Sequence, residues 1–337
     1  VLQSSYLVAP VLAWGLDRQA LRGGMSAPPR TRHLWAAAIV LAAVAGLAGS
    51  LVALACVCIA ASTAAITIER GVGMARRSLV RFVVVSLLVQ AWILLASTAL
   101  YVAHVDDVTW WLAVYVAPAP VLLGLAALDR ARRPGPTTGP SRTSLGYMVG
   151  GVSSMLAGRV ERLLLPVLSS THQLGLYMAI ATASEMIAWA ARGLGESRVS
   201  DYVDRELTRT QLARLAVKDL LWFGLAAVPV AVGLFLVVVP LLGPSFSSTR
   251  SLVIPLCAAS VAWCVYLQMS SRWLGAASAA RSVSLDLATT GVTTVLVCVL
   301  VPFYDALGAA LACLVAYSVM SVVAVALAPR GASRPTT

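Results

Sequence analysis

The chain has 337 residues, of which 59% are hydrophobic and 12% charged, with a formal net charge of +11. Its mean hydropathy of +0.86 excludes an ordinary water-soluble globule. The positive excess does not point to nucleic acid, because the basic segments lack interleaved aromatic residues and fall instead into regular gaps between apolar runs.

Residues 2–16 read as the tail of an apolar segment that begins earlier, and the expectation is a chain truncated at its N-terminal end. A membrane-spanning helix takes about 20 largely apolar residues. Such runs occur at 79–103, 108–128, 145–168, 174–191, 220–242, 252–275, 283–303 and 306–328. The stretch 34–68 carries no charge over 35 residues, too long for one upright helix. It reads as a tight pair turning near residues 46–50, so that about ten spans follow the N-terminal stub.

Charge parity supports that count. All of the 25 Lys and Arg residues except Arg159, Arg162 and Arg250 lie in the gaps 18–32, 70–81, 130–142, 192–218, 272–281 and 330–334. These are every second gap, and the positive-inside rule assigns them and the C-terminus to the cytoplasm. A single pass through 34–68 would invert every later loop. The intervening connections are short, with Asp106, Asp107 and Asp305 among them.

The organisation follows from these runs. Residues 1–133 form a truncated N-terminal helical lobe with about four spans, 134–140 a Pro/Gly linker, 141–329 a six-helix lobe and 330–337 a cytoplasmic tail. The charged stretch 196–219, with Val199, Val203 and Leu207 four apart, predicts an amphipathic helix on the cytoplasmic face. An internal repeat joins the lobes. Arg70–Gly73 closes one predicted helix and Tyr101 ends the next; Arg272–Gly275 closes another, with Tyr304 in the corresponding place. Parallel repeats of this kind build transporter lobes around a central site.

Little in the chain suggests catalysis. The six cysteines sit inside apolar runs, and Cys56 and Cys58 point about 200° apart on a helix, too far to share a metal ion. No nucleotide-binding or hydrolase signature is present, and the outer loops are too short to build an enzyme pocket. Neither metal nor cofactor is implied. His33, His104 and His172 fall at membrane edges, and Gly71-x-Gly73 reads as a helix cap more readily than a phosphate nest.

Ionisable groups inside a bilayer cost at least about 2.5–3.5 kcal/mol each near a helix centre, so they face a partner or a watery cavity. Arg159, Glu161 and Arg162 lie on the predicted helix 145–168 and Glu185 on the next. On one continuous helix the two arginines are about 60° apart and share a face, whereas Glu161 points about 160° from Arg159. Two guanidinium forks one turn apart suit a pyrophosphate. The competing reading is that Glu161 and Glu185 neutralise the arginines and lock helices together. Glu185 is also a candidate coupling carboxylate, and Asp286 is expected in a local ion pair beside Arg281. Arg70, Arg192 and Arg272 end helices on the basic side, where they snorkel to headgroups or form a vestibule for an anionic headgroup. Arg70 and Arg272 therefore join the substrate-binding candidates.

Three stretches carry a family likeness: Gly158-Arg-Val-Glu-Arg-Leu-Leu-Leu165 with Leu174-Gly-Leu-Tyr177, Leu274-Gly-Ala-Ala-Ser-Ala-Ala-Arg281, and Tyr304-Asp-Ala-Leu-Gly-Ala-Ala-Leu-Ala312 leading to Tyr317. In these the chain resembles the polysaccharide-biosynthesis flippases (O-antigen and exopolysaccharide branch) of the MOP superfamily, the multidrug, oligosaccharidyl-lipid and polysaccharide exporters. The resemblance implies an all-α, two-lobed, MATE-like membrane bundle of twelve or more helices working by alternating access in the cytoplasmic membrane. It implies a polyprenyl-pyrophosphate-linked oligosaccharide as substrate, with a polysaccharide polymerase and glycosyltransferases as further partners. A lipid II flippase, a cation-coupled multidrug exporter and a membrane enzyme of polysaccharide assembly remain the alternatives.

Overall fold

The computed structural model describes residues 9, 11–13, 16, 18, 32–47, 49–75, 79–121, 124, 142–203, 207–276 and 279–328. Every regular element among them is helical. The predicted linker at 134–140 and the tail at 330–337 lie outside the described residues. The contacts divide the chain into two compact units, Val1–Met155 and Leu156–Thr337.

In the first unit, α1 (Arg32–Leu47) and α2 (Leu51–Ala75) form an antiparallel pair. The turn between them places Gly49 at φ 64°, a left-handed conformation that glycine adopts without steric cost. The Ser50 hydroxyl accepts a hydrogen bond from the Ala53 N–H at 3.2 Å and so caps α2. The expected pair within 34–68 is therefore present. Ala9, Leu12, Ala13 and Leu16, spaced as one helical stripe, pack against Ala38 of α1 and Ala60, Ala61, Ala64 and Ile68 of α2. Alanine on both sides lets the backbones approach closely.

Helix α2 runs through Gly71 and Gly73 to Ala75, so neither glycine forms a cap or a phosphate nest. Helices α3 (Leu79–Val102) and α4 (Val108–Val116) follow, tied by the Trp92 indole N–H donating to the Val114 carbonyl at 3.0 Å. Asp107 caps α4 by accepting from the Thr109 N–H at 2.8 Å, and that bond holds its carboxyl below the usual range. The unit closes within α5 (Arg142–Ala157).

The second unit contains α6 (Val160–Leu168), α7 (Thr171–Ser184), α8 (Met186–Ser197), α9 (Arg209–Leu242), α10 (Arg250–Ala276) and α11 (Ala279–Ala326). Among the described residues, three helices are long and apolar enough to cross a membrane: α9, α10 and α11, with the bent pair α7 and α8 forming a fourth span if taken together. Helix α11 has 48 residues, about 72 Å at 1.5 Å per residue, twice a bilayer core. It is two arms turned at Asp305, whose φ is 49°. Val297 and Val301 on one arm share a core with Ala306, Ala309 and Ala310 on the other. The turn is tight enough that a Cβ on Gly308 would lie 2.4 Å from the Leu300 carbonyl oxygen.

Helix α10 is the axis of this unit, packing against α7, α8, α9 and α11. Of its apolar window 83% is buried, against 17% for α9, which turns Leu221, Trp222 and Leu225 outward. The charged stretch 196–219 is not one amphipathic helix. Helix α8 ends at Ser197, a short 3-10 turn covers Val199–Tyr202, and α9 starts at Arg209. Two local causes are visible. Val199 is fully buried against α10, where a Cβ on Gly275 would meet its carbonyl oxygen at 2.5 Å. Thr208 and Gln211 exchange side-chain and backbone hydrogen bonds at 3.0 and 3.3 Å, a capping box that nucleates α9 at this point.

Contacts within the unit gather its ends into two groups. The Ser169 hydroxyl, before α7, donates to the Asp305 carboxylate at the turn of α11. At the other end, Arg272 meets Asp219, Gly195 faces Ser271, and the Trp273 indole N–H donates to the Ala324 carbonyl at 3.1 Å. Alternate gaps thus share an end, the arrangement expected from charge parity.

Candidate functional site

The predicted helix 145–168 is broken. Gly158 and Arg159 form a turn between α5 and α6, and Arg159 has φ −141° and ψ −9°. Its carbonyl accepts from the N–H groups of Arg162 and Leu163 at 3.1 and 3.3 Å, starting α6. The Tyr317 hydroxyl secures the break by donating to the Ala157 carbonyl at 2.9 Å. Helix α6 then buries Val160, Glu161, Arg162 and Leu165 and exposes Val167.

A second break faces the first. Helices α7 and α8 are bent by 46°, and Glu185 is the joint between them, its carbonyl accepting from the N–H groups of Ala188 and Trp189. Ser184, one residue earlier, is buried and paired with the Ser260 hydroxyl of α10 at 3.2 Å. The acid that a sequence reading puts mid-helix therefore sits at an interruption.

These breaks bring Arg159, Glu161, Arg162 and Glu185 into one network. Arg162 Nη2 donates to Glu185 Oε1, and Arg162 Nε donates to Glu161 Oε1 at 3.2 Å. Arg159 Nη1 lies 3.8 Å from Glu185 Oε2. The 60° and 160° separations do not survive, because they assume one uninterrupted helix. Glu161 pairs with its sequence neighbour Arg162, while both arginines reach Glu185. Two positive and two negative charges balance, as burial of ions requires.

Access to the network is uneven. The side chains of Arg162 and Glu161 are 3% and 2% exposed, those of Arg159 and Glu185 16% and 23%. Glu161 Oε2 is buried with no hydrogen-bond partner. Tyr177 of α7 and Cys313 and Tyr317 of α11 are buried beside the ions. The Tyr317 ring lies 4.5 Å from that of Trp263, which stacks in turn on Tyr266 at 5.2 Å. Tyr177 and Tyr317 are visible in the sequence; their place around the ions depends on tertiary packing.

The remaining candidates lie elsewhere. Arg70 is on α2, and its side chain is outside the described residues. Arg272 does not snorkel. It is 2% exposed on α10, with Nη1 2.7 Å from Asp219 Oδ2 of α9. The approach is an ion pair without hydrogen-bond alignment, and Arg272 Nε has no hydrogen-bond partner. Asp219, a partner the sequence reading did not identify, is what permits that burial. Asp286 is fully buried and accepts from the Tyr266 and Ser270 hydroxyls at 2.8 and 3.3 Å, whereas Arg281 is exposed.

No protein-family model matches the chain, and no curated protein matches it. Solved structures do. An outward-facing multidrug resistance MATE family transporter of the MOP superfamily is similar with a TM-score of 0.63 and 11% identity over 97% of this chain and 84% of that one. A MOP superfamily transporter from Pyrococcus furiosus, whose binding pocket is described as reversed in polarity, is similar at TM-score 0.61 and 14% identity over 97% and 84%. A MATE in complex with Br-NRF is similar at 0.57 and 12% over the same shares. The chain has the helix-bundle fold of MOP-superfamily transporters.

Proposed function

We propose that the protein is a membrane flippase that moves a polyprenyl-pyrophosphate-linked oligosaccharide from the cytoplasmic to the outer leaflet by alternating access. The observation that carries the reading is the pair Arg159 and Arg162, held together by one partly exposed carboxylate inside a transporter fold. Arginine offers a planar fork of donors to phosphate oxygens, and two forks meeting at one point suit a pyrophosphate. Binding charge inside an apolar bundle is expensive unless compensating groups are already oriented, and here they are.

Replacing Arg159 and Arg162 together by Gln is expected to abolish surface polysaccharide in the host strain while the protein still inserts into the membrane. Unchanged polysaccharide, with the variant inserted at wild-type level, refutes the assignment.

A cation-coupled multidrug exporter is the second reading, favoured by the likeness to a multidrug resistance MATE transporter. A cationic drug calls for net negative charge, whereas the network is neutral with two arginines and two glutamates. Energised efflux of cationic dyes by the protein in vesicles, retained in the arginine double variant, favours this reading over the first.

A further inference from the structure

We propose that Glu185 is an internal counter-ion that a phosphate-bearing substrate displaces from Arg159 and Arg162, so that the substrate competes with the protein's own carboxylate. This rests on the reading of the arginine pair as the anion site.

Position is the first support. Glu185 directs one carboxylate oxygen to each arginine, Oε1 to Arg162 Nη2 and Oε2 to Arg159 Nη1. It thereby occupies the place where two oxygens of a phosphate would be received. A carboxylate and a phosphate cannot both remain there, because like charges within a few ångströms repel strongly in a low-dielectric interior.

The four members also differ in their hold. Glu161 is buried and bound to Arg162 Nε, a different nitrogen from the one Glu185 holds, so it steadies that guanidinium after Glu185 leaves. Glu185 and Arg159 are the partly exposed pair, the members of the network that solvent reaches. Glu185 departing leaves one net positive charge, which an anion then neutralises.

The backbone allows the movement. Glu185 is the joint of the 46° bend between α7 and α8. A carboxylate at a helix interruption swings aside with small dihedral changes, whereas one in the middle of a continuous helix stays locked to its face. Displacement of Glu185 is thus tied to the angle between α7 and α8, and that angle registers whether the anion site is filled.

Inorganic pyrophosphate binding to the purified full chain in lipid nanodiscs tests this. Glu185→Gln is expected to bind about tenfold more tightly than wild type, equivalent to about 1.4 kcal/mol. Glu185→Asp, which keeps the charge but shortens its reach, is expected between the two and decides the matter if the Gln variant does not accumulate. Arg159→Gln with Arg162→Gln is expected not to bind. Equal or weaker binding by both Glu185 variants, with the arginine double variant still blind to pyrophosphate, overturns the counter-ion role and leaves the anion site standing. Wild-type affinity in the arginine double variant overturns the anion site itself. No binding by wild type and by either Glu185 variant overturns both.

Discussion

Two ionic assemblies occur in the second unit, and they differ in kind. The Arg272–Asp219 pair joins α9 to α10 with side chains 2% and 12% exposed. The network of Arg159, Glu161, Arg162 and Glu185 is built at two helix interruptions, and Arg159 and Glu185 within it are partly exposed. The pair is a fastener. An assembly with partly exposed members at a helix bend is suited to exchange, since part of its charge can be rewired without first being dug out of the core. The difference shows that backbone continuity, as much as charge, separates a structural ion pair from a site.

The comparison is broken hardest at the fastener. Arg272→Ala strands Asp219 beside an apolar helix, and a loss of about 3–5 kcal/mol is expected, read as a lower thermal midpoint in detergent. Replacing Arg272 by Met and Asp219 by Leu together should return most of that stability, because no buried charge remains. The same double neutralisation applied to Arg162 and Glu185 should lower stability as well as end transport, because buried Glu161 loses its partner Arg162.

Gly275→Val probes the packing beside the fastener. Its Cβ would stand 2.5 Å from the Val199 carbonyl oxygen and 2.9 Å from Tyr202 Cβ, so a cost of about 1–3 kcal/mol is expected. Under the proposed function, surface polysaccharide should fall only as the amount of folded protein falls.

Tyr317→Phe removes the hydroxyl that holds the Ala157 carbonyl at the α5–α6 break. About 1 kcal/mol of stability is expected to go, with a larger proportional fall in transport per folded molecule, because the same bond positions Arg159. Equal falls in the two readouts would make the bond purely structural.

The smallest effect lies outside both assemblies. The cap by Asp107 holds its carboxyl below the usual range. A depressed folded-state value contributes stability above the unfolded pKa, lost as pH falls through the folded value. Asp107→Ala should flatten that acid-side decline slightly and leave both ionic assemblies unchanged.

Much of the bundle is legible from local chemistry. The need to hide about 20 apolar residues per span, and the bias of arginine to one side, locate the apolar runs and a turn near residues 46–50 without reference to packing. The four members of the network are also legible, since Arg159, Glu161, Arg162 and Glu185 are ionisable residues where a bilayer penalises them. What the helical wheel misjudges is their mutual direction. The wheel presumes an unbroken helix, and the interruptions at Arg159 and Glu185 carry only weak local signals. Thr208 and Gln211 form a capping box that is legible in the sequence and is a more local signal for the start of α9 than the charge pattern over 196–219.

The order of apolar runs, the charge parity of their connections and the presence of intramembrane ions follow from the sequence alone, because solvation acts on each segment separately. Tertiary structure decides that α10 is central while the comparably apolar α9 lies outside, that Arg272 is buried on Asp219, and that one glutamate spans two arginines. Those outcomes depend on which faces meet and where helices break. Both are set by packing between segments distant in the chain, which no local pattern encodes.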